Sequence, residues 1–286
     1  MKTVMITGVG GPAGMNVASL LLQQGYRVVG LDMQPVDMEG IEFQRVPAAI
    51  DAGFMEALYG LAQKYQPALI IPSVTEELPI LASGWRWQVE YPLLLSQAEG
   101  IGIANDKYLT SQVLIRHGVR VPRFALPSHV KSIQDVEDRI GWPCISKPRV
   151  GRGGRGVAIR EKEDFQVVSR LGDDHILQEF ADGTDYAPNV YISRAGKPAA
   201  VVLEKTELKE GRIGNARSVR RVQEADVEAL AIAAAEALGL HGPVDVDIRR
   251  RQDGQPVVLE VNARFGANIR HAPEIFDRVI AEYLSK

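Results

Sequence analysis

The chain has 286 residues, of which 45% are hydrophobic and 24% charged, with 33 basic against 36 acidic side chains and a formal net charge of −3. That length allows two or three domains, the composition excludes a disordered chain, and the lack of a basic excess excludes a general nucleic-acid binder. A single cysteine, Cys144, excludes a disulfide scaffold or a cysteine-based zinc site, and no apolar run reaches the roughly 18–20 residues of a membrane span.

In chain order, the first apolar run, Thr3–Thr7, meets a glycine cluster at once, a folded-domain pattern and not a signal-peptide cleavage site. A soluble, cytoplasmic α/β protein is expected. A helical pattern over 16–24 is closed by Gly25, and a strand over 27–31 ends at Asp32. The spacing predicts a helix over 53–65 and buried strands over 68–72 and 91–95. Strands alternating with helices imply a parallel, doubly wound sheet, ending near Ala104. A helix over 105–117 follows, capped by Asn105 or Asp106 and ended by Gly118.

From there the pattern changes. A strand over 143–148, a glycine-rich loop over 151–156 and a strand over 157–160 read as an antiparallel hairpin. A helix over 163–171 and a strand over 176–180 follow, and the remainder is mostly strands around one helix at 224–238. This divides the chain into an α/β front domain over 1–104, a small α+β lobe over 105–180 and a larger α+β lobe over 181–286. A ligand cleft is expected between lobes.

Two glycine motifs carry chemistry. In GVGGPAGMN, Gly8, Gly11 and Gly14 have the spacing of a dinucleotide fingerprint, with Asp32 at the end of the next strand. Read alone, this gives an NAD(P)-dependent oxidoreductase; the same glycines also serve a plain strand-to-helix turn, and nothing downstream resembles a hydride-transfer site. In GRGGRG, the glycines free backbone N–H groups to face a phosphate, with Arg152 and Arg155 adding charge. No Lys-Ser or Lys-Thr follows Gly156, so this is not a Walker A loop, and a flexible hairpin tip would use the same residues. Lys147, on the strand before the loop, needs a charge partner if buried, and a nucleotide phosphate is one. Lys107 alone reads as a surface lysine.

The segment VDVDIRRRQDGQPVVLEVNARFG reads as a hairpin with its turn at Asp253-Gly254. Strand alternation lets Asp247 and Glu260 converge across the pair, with Asn262 one step further along. Two carboxylates and an amide oxygen suit Mg2+ that also holds phosphates, and Arg264 on the same face suits a transferring phosphoryl group. Solvent-facing acids on an edge strand are the plain alternative, and Asp245 competes with Asp247 for the first position.

In this order, the motifs resemble those of the ATP-grasp superfamily, in particular the carboxylate–amine ligases of its carbamoyl-phosphate-synthetase-like branch. GVGGPAG and PSVTEELPILA resemble the pre-ATP-grasp domain, CISKPRVGRGGRGV the phosphate lysine and flap, LQEFADGTD the nucleotide hinge, and LEVNARFG the metal-binding strand. The resemblance implies a Rossmann-like front domain followed by the two α+β lobes of an ATP-grasp fold. It implies that Lys107 and Lys147 contact ATP phosphates and that Gly151, Gly153, Gly154 and Gly156 form the flap. Gln178, Glu179, Phe180 and Ala181 would form the adenine hinge, and Asp185 would hold the ribose in place of the more usual glutamate. Asp247, Glu260 and Asn262 would hold Mg2+, with Mn2+ as an alternative, and Arg264 would act with Lys147 at the γ-phosphate. Gly11, Thr75, Glu76, Arg217 and Arg264 become candidate substrate contacts.

The implied activity is attack of a carboxylate on the ATP γ-phosphate, then displacement of phosphate from the acyl phosphate by an amine or similar nucleophile. The implied partners are small-molecule carboxylate and amine substrates, with neither nucleic acid nor membrane; family habit alone suggests a homodimer. A non-catalytic nucleotide-binding protein of the same fold is a further alternative, against which the intact acids and lysines argue. Arg249, Arg250 and Arg251 read as a solvated strand end, Trp85 and Trp87 as packing residues, and the five histidines as structural or surface groups.

Overall fold

The structure is a computed structural model and describes residues 1–84, 90–151 and 153–284. Trp85, Trp87 and Arg152 lie outside the described residues. The chain opens with β1 (Thr3–Thr7), α1 (Pro12–Gln23), β2 (Arg27–Asp32), β3 (Ile41–Arg45), α2 (Phe54–Tyr65) and β4 (Leu69–Pro72). These strands form a wholly parallel sheet in the order β3-β2-β1-β4. Alternation along β1 explains why both faces are covered. Val4 and Ile6 pack with Val17 and Leu21 of α1, whereas Met5 packs with Phe54 and Leu58 of α2.

The edge strand of this sheet is β3, not the 91–95 run. In β3, Ile41 and Phe43 alternate with Glu42 and Gln44, the pattern of a half-buried strand. The 91–95 run contains Pro92, which has no N–H to donate, and makes only an isolated parallel bridge between Leu93 and Ile70. Helix α1 begins four residues earlier than the apolar pattern, because Pro12 occupies its first turn, where a missing N–H costs nothing.

Next come α3 (Leu78–Ser83), α4 (Ala98–Asn105) and α5 (Lys107–Arg116). The expected 105–117 helix is therefore α5, cut from α4 at Asp106. Asp106 is extended, and its carboxylate accepts from Tyr108 N and Leu109 N. The small antiparallel sheet follows: β5 (Phe124–Ala125), α6 (Ile133–Arg139), β6 (Cys144–Pro148), β7 (Ala158–Arg160), α7 (Phe165–Val168) and β8 (His175–Glu179), in the order β5-β8-β6-β7. The 163–171 helix shrinks to α7 behind a short 3-10 turn at Lys162–Asp164.

The last sheet comprises β9 (Asp185–Tyr186), β10 (Asn189–Ile192), the long hairpin β11 (Pro198–Glu210) and β12 (Ile213–Val222), and the hairpin β13 (Gly242–Arg250) and β14 (Pro256–Asn262). Helix α8 (Ala225–Ala237) packs on it through Val227, Leu230 and Ala234, and α9 (Pro273–Leu284) closes the described chain. Phe265, Phe276 and Val279 share one core with Val4 and Val17, so the front sheet is packed against the C-terminal segment and does not hang from a linker. Among the described residues no helix is long and apolar enough to cross a membrane.

Candidate active site

A cleft of about 1230 Å3 runs between the three sheets. It is lined by all the site residues that the resemblance implies except Gly156. Gly156 closes the base of the β6–β7 hairpin instead, with φ +72° and Pro148 packed where a Cβ would stand. Gly151, Gly153 and Gly154 also have positive φ, which lets the loop curl over the cleft opposite Asn215 of the β11–β12 hairpin.

The hairpin β13–β14 sets the acids. Asp247 stands directly opposite Glu260, and Asp245 opposite Asn262. Asn262 Oδ1 is 3.3 Å from Thr75 Oγ1, so a front-domain residue reaches the acid strand. Asp245 is paired instead with Arg264, whose Nη1 donates to Oδ2 at 2.8 Å. Burial raises the Asp245 pKa against the pull of Arg264, and the negative Asp247 adds to the rise. Burial acts the same way on Asp247, but Lys205 outweighs it and holds that carboxyl below its ordinary value.

Three lysines converge on this strand pair. Lys107, the first residue of α5, is 7% exposed, so the surface reading fails: capping by Asp106 turns its side chain inward. Its Nζ donates to Gly151 O at 3.0 Å and lies 3.3 Å from Glu260 Oε1. Lys147 on β6 is 6% exposed and donates to Leu259 O at 3.1 Å. Burial lowers its pKa to about 8, with Glu260 opposing the fall and Lys107 adding to it. Lys205 on β11, which sequence reasoning missed, lies 2.6 Å from Asp247 Oδ1 and 3.1 Å from Asp185 Oδ1. Burial acts to lower its pKa, and the two carboxylates outweigh it, so Lys205 is held charged above the ordinary lysine range.

The hinge follows β8. Gln178 is 2% exposed, and its Nε2 meets no acceptor among the described residues, leaving a buried donor at the cleft wall. One oxygen of the Glu179 carboxylate accepts from both Arg123 N and Arg251 Nη2. Phe180 packs under Arg212, with the guanidinium 4.4 Å from the ring centroid. Arg249 is buried, not solvated: it donates to Asp185, to Ala181 O and to Arg212 O. Arg250 and Arg251 are likewise bound, to Glu224 and Asp226 and to Glu179. The short strand β9, paired with β13, draws these arginines under the hinge. Arg217 is exposed and paired with Glu207 at 3.0 Å.

The front glycines serve the turn. A Cβ at Gly14 would collide with the Gly8 carbonyl oxygen, so α1 can start this close to β1 only at glycine. The Asp32 carboxylate accepts from Gly10 N and Gln34 N, holding its own loop together. Gly11, Thr75 and Glu76 all line the cleft.

The donor set at the acid strands fits Mg2+. Asp247, Glu260 and Asn262 offer hard oxygen atoms from facing positions, and among the described residues no three acidic, histidine or cysteine side chains form a complete metal cage.

The family described as "ATP-grasp domain" matches residues 104–268. A probable alpha-L-glutamate ligase from Parasynechococcus marenigrum is 33% identical over 187 residues, covering 60% of this chain but only 39% of that protein. A D-alanine–D-alanine ligase from Cupriavidus taiwanensis is 25% identical over 278 residues, covering 90% of this chain and 81% of that one. An ADP complex of N5-carboxyaminoimidazole ribonucleotide synthetase shares the fold at a TM-score of 0.76 and 17% identity, over 98% of this chain and 76% of the other. Because the family match spans more than half of the chain and includes the lysines, the hinge and the acid strand pair, the protein belongs to the ATP-grasp family.

Proposed function

We propose that this chain is an ATP- and Mg2+-dependent ligase that activates a carboxylate as an acyl phosphate and joins it to an amine. The observation that carries the reading is one cleft in which Asp247 and Glu260 face each other beside the buried lysines Lys107 and Lys147. Mg2+, when bound by Asp247, Glu260 and Asn262, would neutralise and orient phosphate oxygens.

The chain's own residues would do the rest. Gln178 Nε2 and the backbone of residues 179–181 face the adenine end, and Asp185 lies next to the acids on the ribose side. Lys107, Lys147 and Arg264 supply positive charge where phosphoryl oxygens spread their charge. A carboxylate oxygen forms the new bond to the γ-phosphorus as the bond to the β,γ-bridging oxygen breaks, releasing ADP. The amine nitrogen then bonds to the acyl carbon, phosphate leaves, and the amine loses a proton. The glycine loop at Gly151, Gly153 and Gly154 closes over the site and keeps water from the acyl phosphate.

ADP release tests this. It should require Mg2+, a carboxylate and an amine together, and it should disappear in Glu260→Gln. Release that is independent of both substrates would count against a ligase.

A further inference from the structure

The cleft is larger than a nucleotide needs, and its far end belongs to the front sheet. There a side bay of about 420 Å3 opens at the C-terminal ends of β2 and β3, walled by Met33, Val46, Pro47 and Ala48. Met15 and Ile50 line the neighbouring cleft, and Met15, Met33 and Ile50 are 44%, 45% and 88% exposed. Large apolar side chains left open along one wall of a ligand cleft mark the part that meets an apolar ligand group.

Gln34, Arg45 and Asp51 complete the lining, and the two charged residues are each tied to the bay's own backbone. Arg45 Nε donates to Met33 O at 3.0 Å. Asp51 Oδ2 accepts from Ala48 N at 3.1 Å, and the nearby Asp32 accepts from Gly10 N and Gln34 N.

We propose that the bay receives the apolar side chain of the ligation substrate, an amino acid with an aliphatic or aromatic side chain. The proposal rests on the ligase reading for its amine or carboxylate, which must lie toward the acid strands. Met33, Gln34, Val46, Pro47 and Ala48 line both the bay and the cleft that holds the phosphate lysines, so a side chain in the bay lies beside the space of the reacting group.

Calorimetric titration of the full chain tests this without turnover. MgADP is titrated first, then leucine, phenylalanine, aspartate and lysine, each as both enantiomers. Leucine or phenylalanine should bind at least tenfold more tightly than aspartate or lysine. Met33→Asp should weaken that binding tenfold or more and leave MgADP affinity unchanged. Ile50→Asp, at a side chain with almost no packing to lose, should act in the same direction if Met33→Asp fails to fold. Equal binding of the charged amino acids, no binding of the apolar ones, or indifference to both substitutions would overturn the proposal. Loss of MgADP binding with leucine or phenylalanine binding retained would sink the ligase reading and leave the bay standing.

Discussion

Arg249 Nη2 donates to Asp185 Oδ2 at 2.7 Å, and both residues are more than nine-tenths buried. Lys205 faces the other oxygen of Asp185 and carries the chain of charges on to Asp247. Such a pair gains little over apolar packing, but breaking it strands a charge, at about 3–5 kcal/mol. Arg249→Met should therefore lower stability by about 3 kcal/mol, the lower end of that range, because Lys205 still faces Asp185. Denaturant unfolding measures it; a loss below about 1 kcal/mol would mean that the arginine is not needed to hold the carboxylate.

Lys147 supports a separate prediction. Burial lowers the pKa of Lys147 to about 8, and an arriving phosphate should hold it more firmly in its charged form. Lys147→Ala should weaken nucleotide affinity by about 1.5–3 kcal/mol, the worth of a charge-assisted hydrogen bond, or roughly 10- to 150-fold. Calorimetric titration with MgADP checks this, and an unchanged affinity would remove Lys147 from the phosphate site.

Much of the site was legible because its residues sit in short strings with strand alternation: Asp247, Glu260 and Asn262 fall on one face by period alone. Lys205 was not legible. It lies in the run Lys205, Glu207, Lys209 on β11, which reads as a solvated face until β9 and β13 cover its first member. Arg249 was misread for the same reason, since three successive arginines look like a surface turn and only tertiary pairing separates the buried one from its neighbours. The strand β3 does not stand out in the sequence because its alternation is short and polar, whereas the more hydrophobic 91–95 run reads as a strand and makes only a single bridge.

Asp106 gives a pH dependence. Burial acts to raise its pKa, and Arg149 together with the N–H groups of Leu109 and Tyr108 outweighs that, so the carboxyl is held below its ordinary value of 3.8. A depressed carboxylate contributes stability that is present above the ordinary value and lost as pH falls through the folded value. Wild-type stability should therefore fall relative to Asp106→Asn as pH drops below 3.8. At neutral pH, Asp106→Ala should cost about 1–2 kcal/mol through loss of the α5 cap, and should also release Lys107 from its inward position. Parallel pH-dependent curves for wild type and Asp106→Asn would contradict this.

Glu260 separates folding from function. Its partner at 3.3 Å, Lys107, is buried, so Glu260→Gln should cost about 3 kcal/mol, the low end for breaking a buried pair, while leaving the protein folded. ADP formation should nevertheless fall below detection, and Asn262→Ala should behave likewise. Normal ADP formation in either variant would remove the acid strands from the metal site.

The most direct measurement is a thermal-shift titration with ATP, ADP and NAD(H), each with and without Mg2+. A ligand at about 100 times its dissociation constant adds about 2.7 kcal/mol to stability, enough to raise the melting temperature measurably. ATP and ADP should stabilise the protein in a Mg2+-dependent manner, and NAD(H) should not. Stabilisation by NAD(H) alone would contradict the nucleotide site between Lys147 and Glu260 and return the front glycines to a cofactor role.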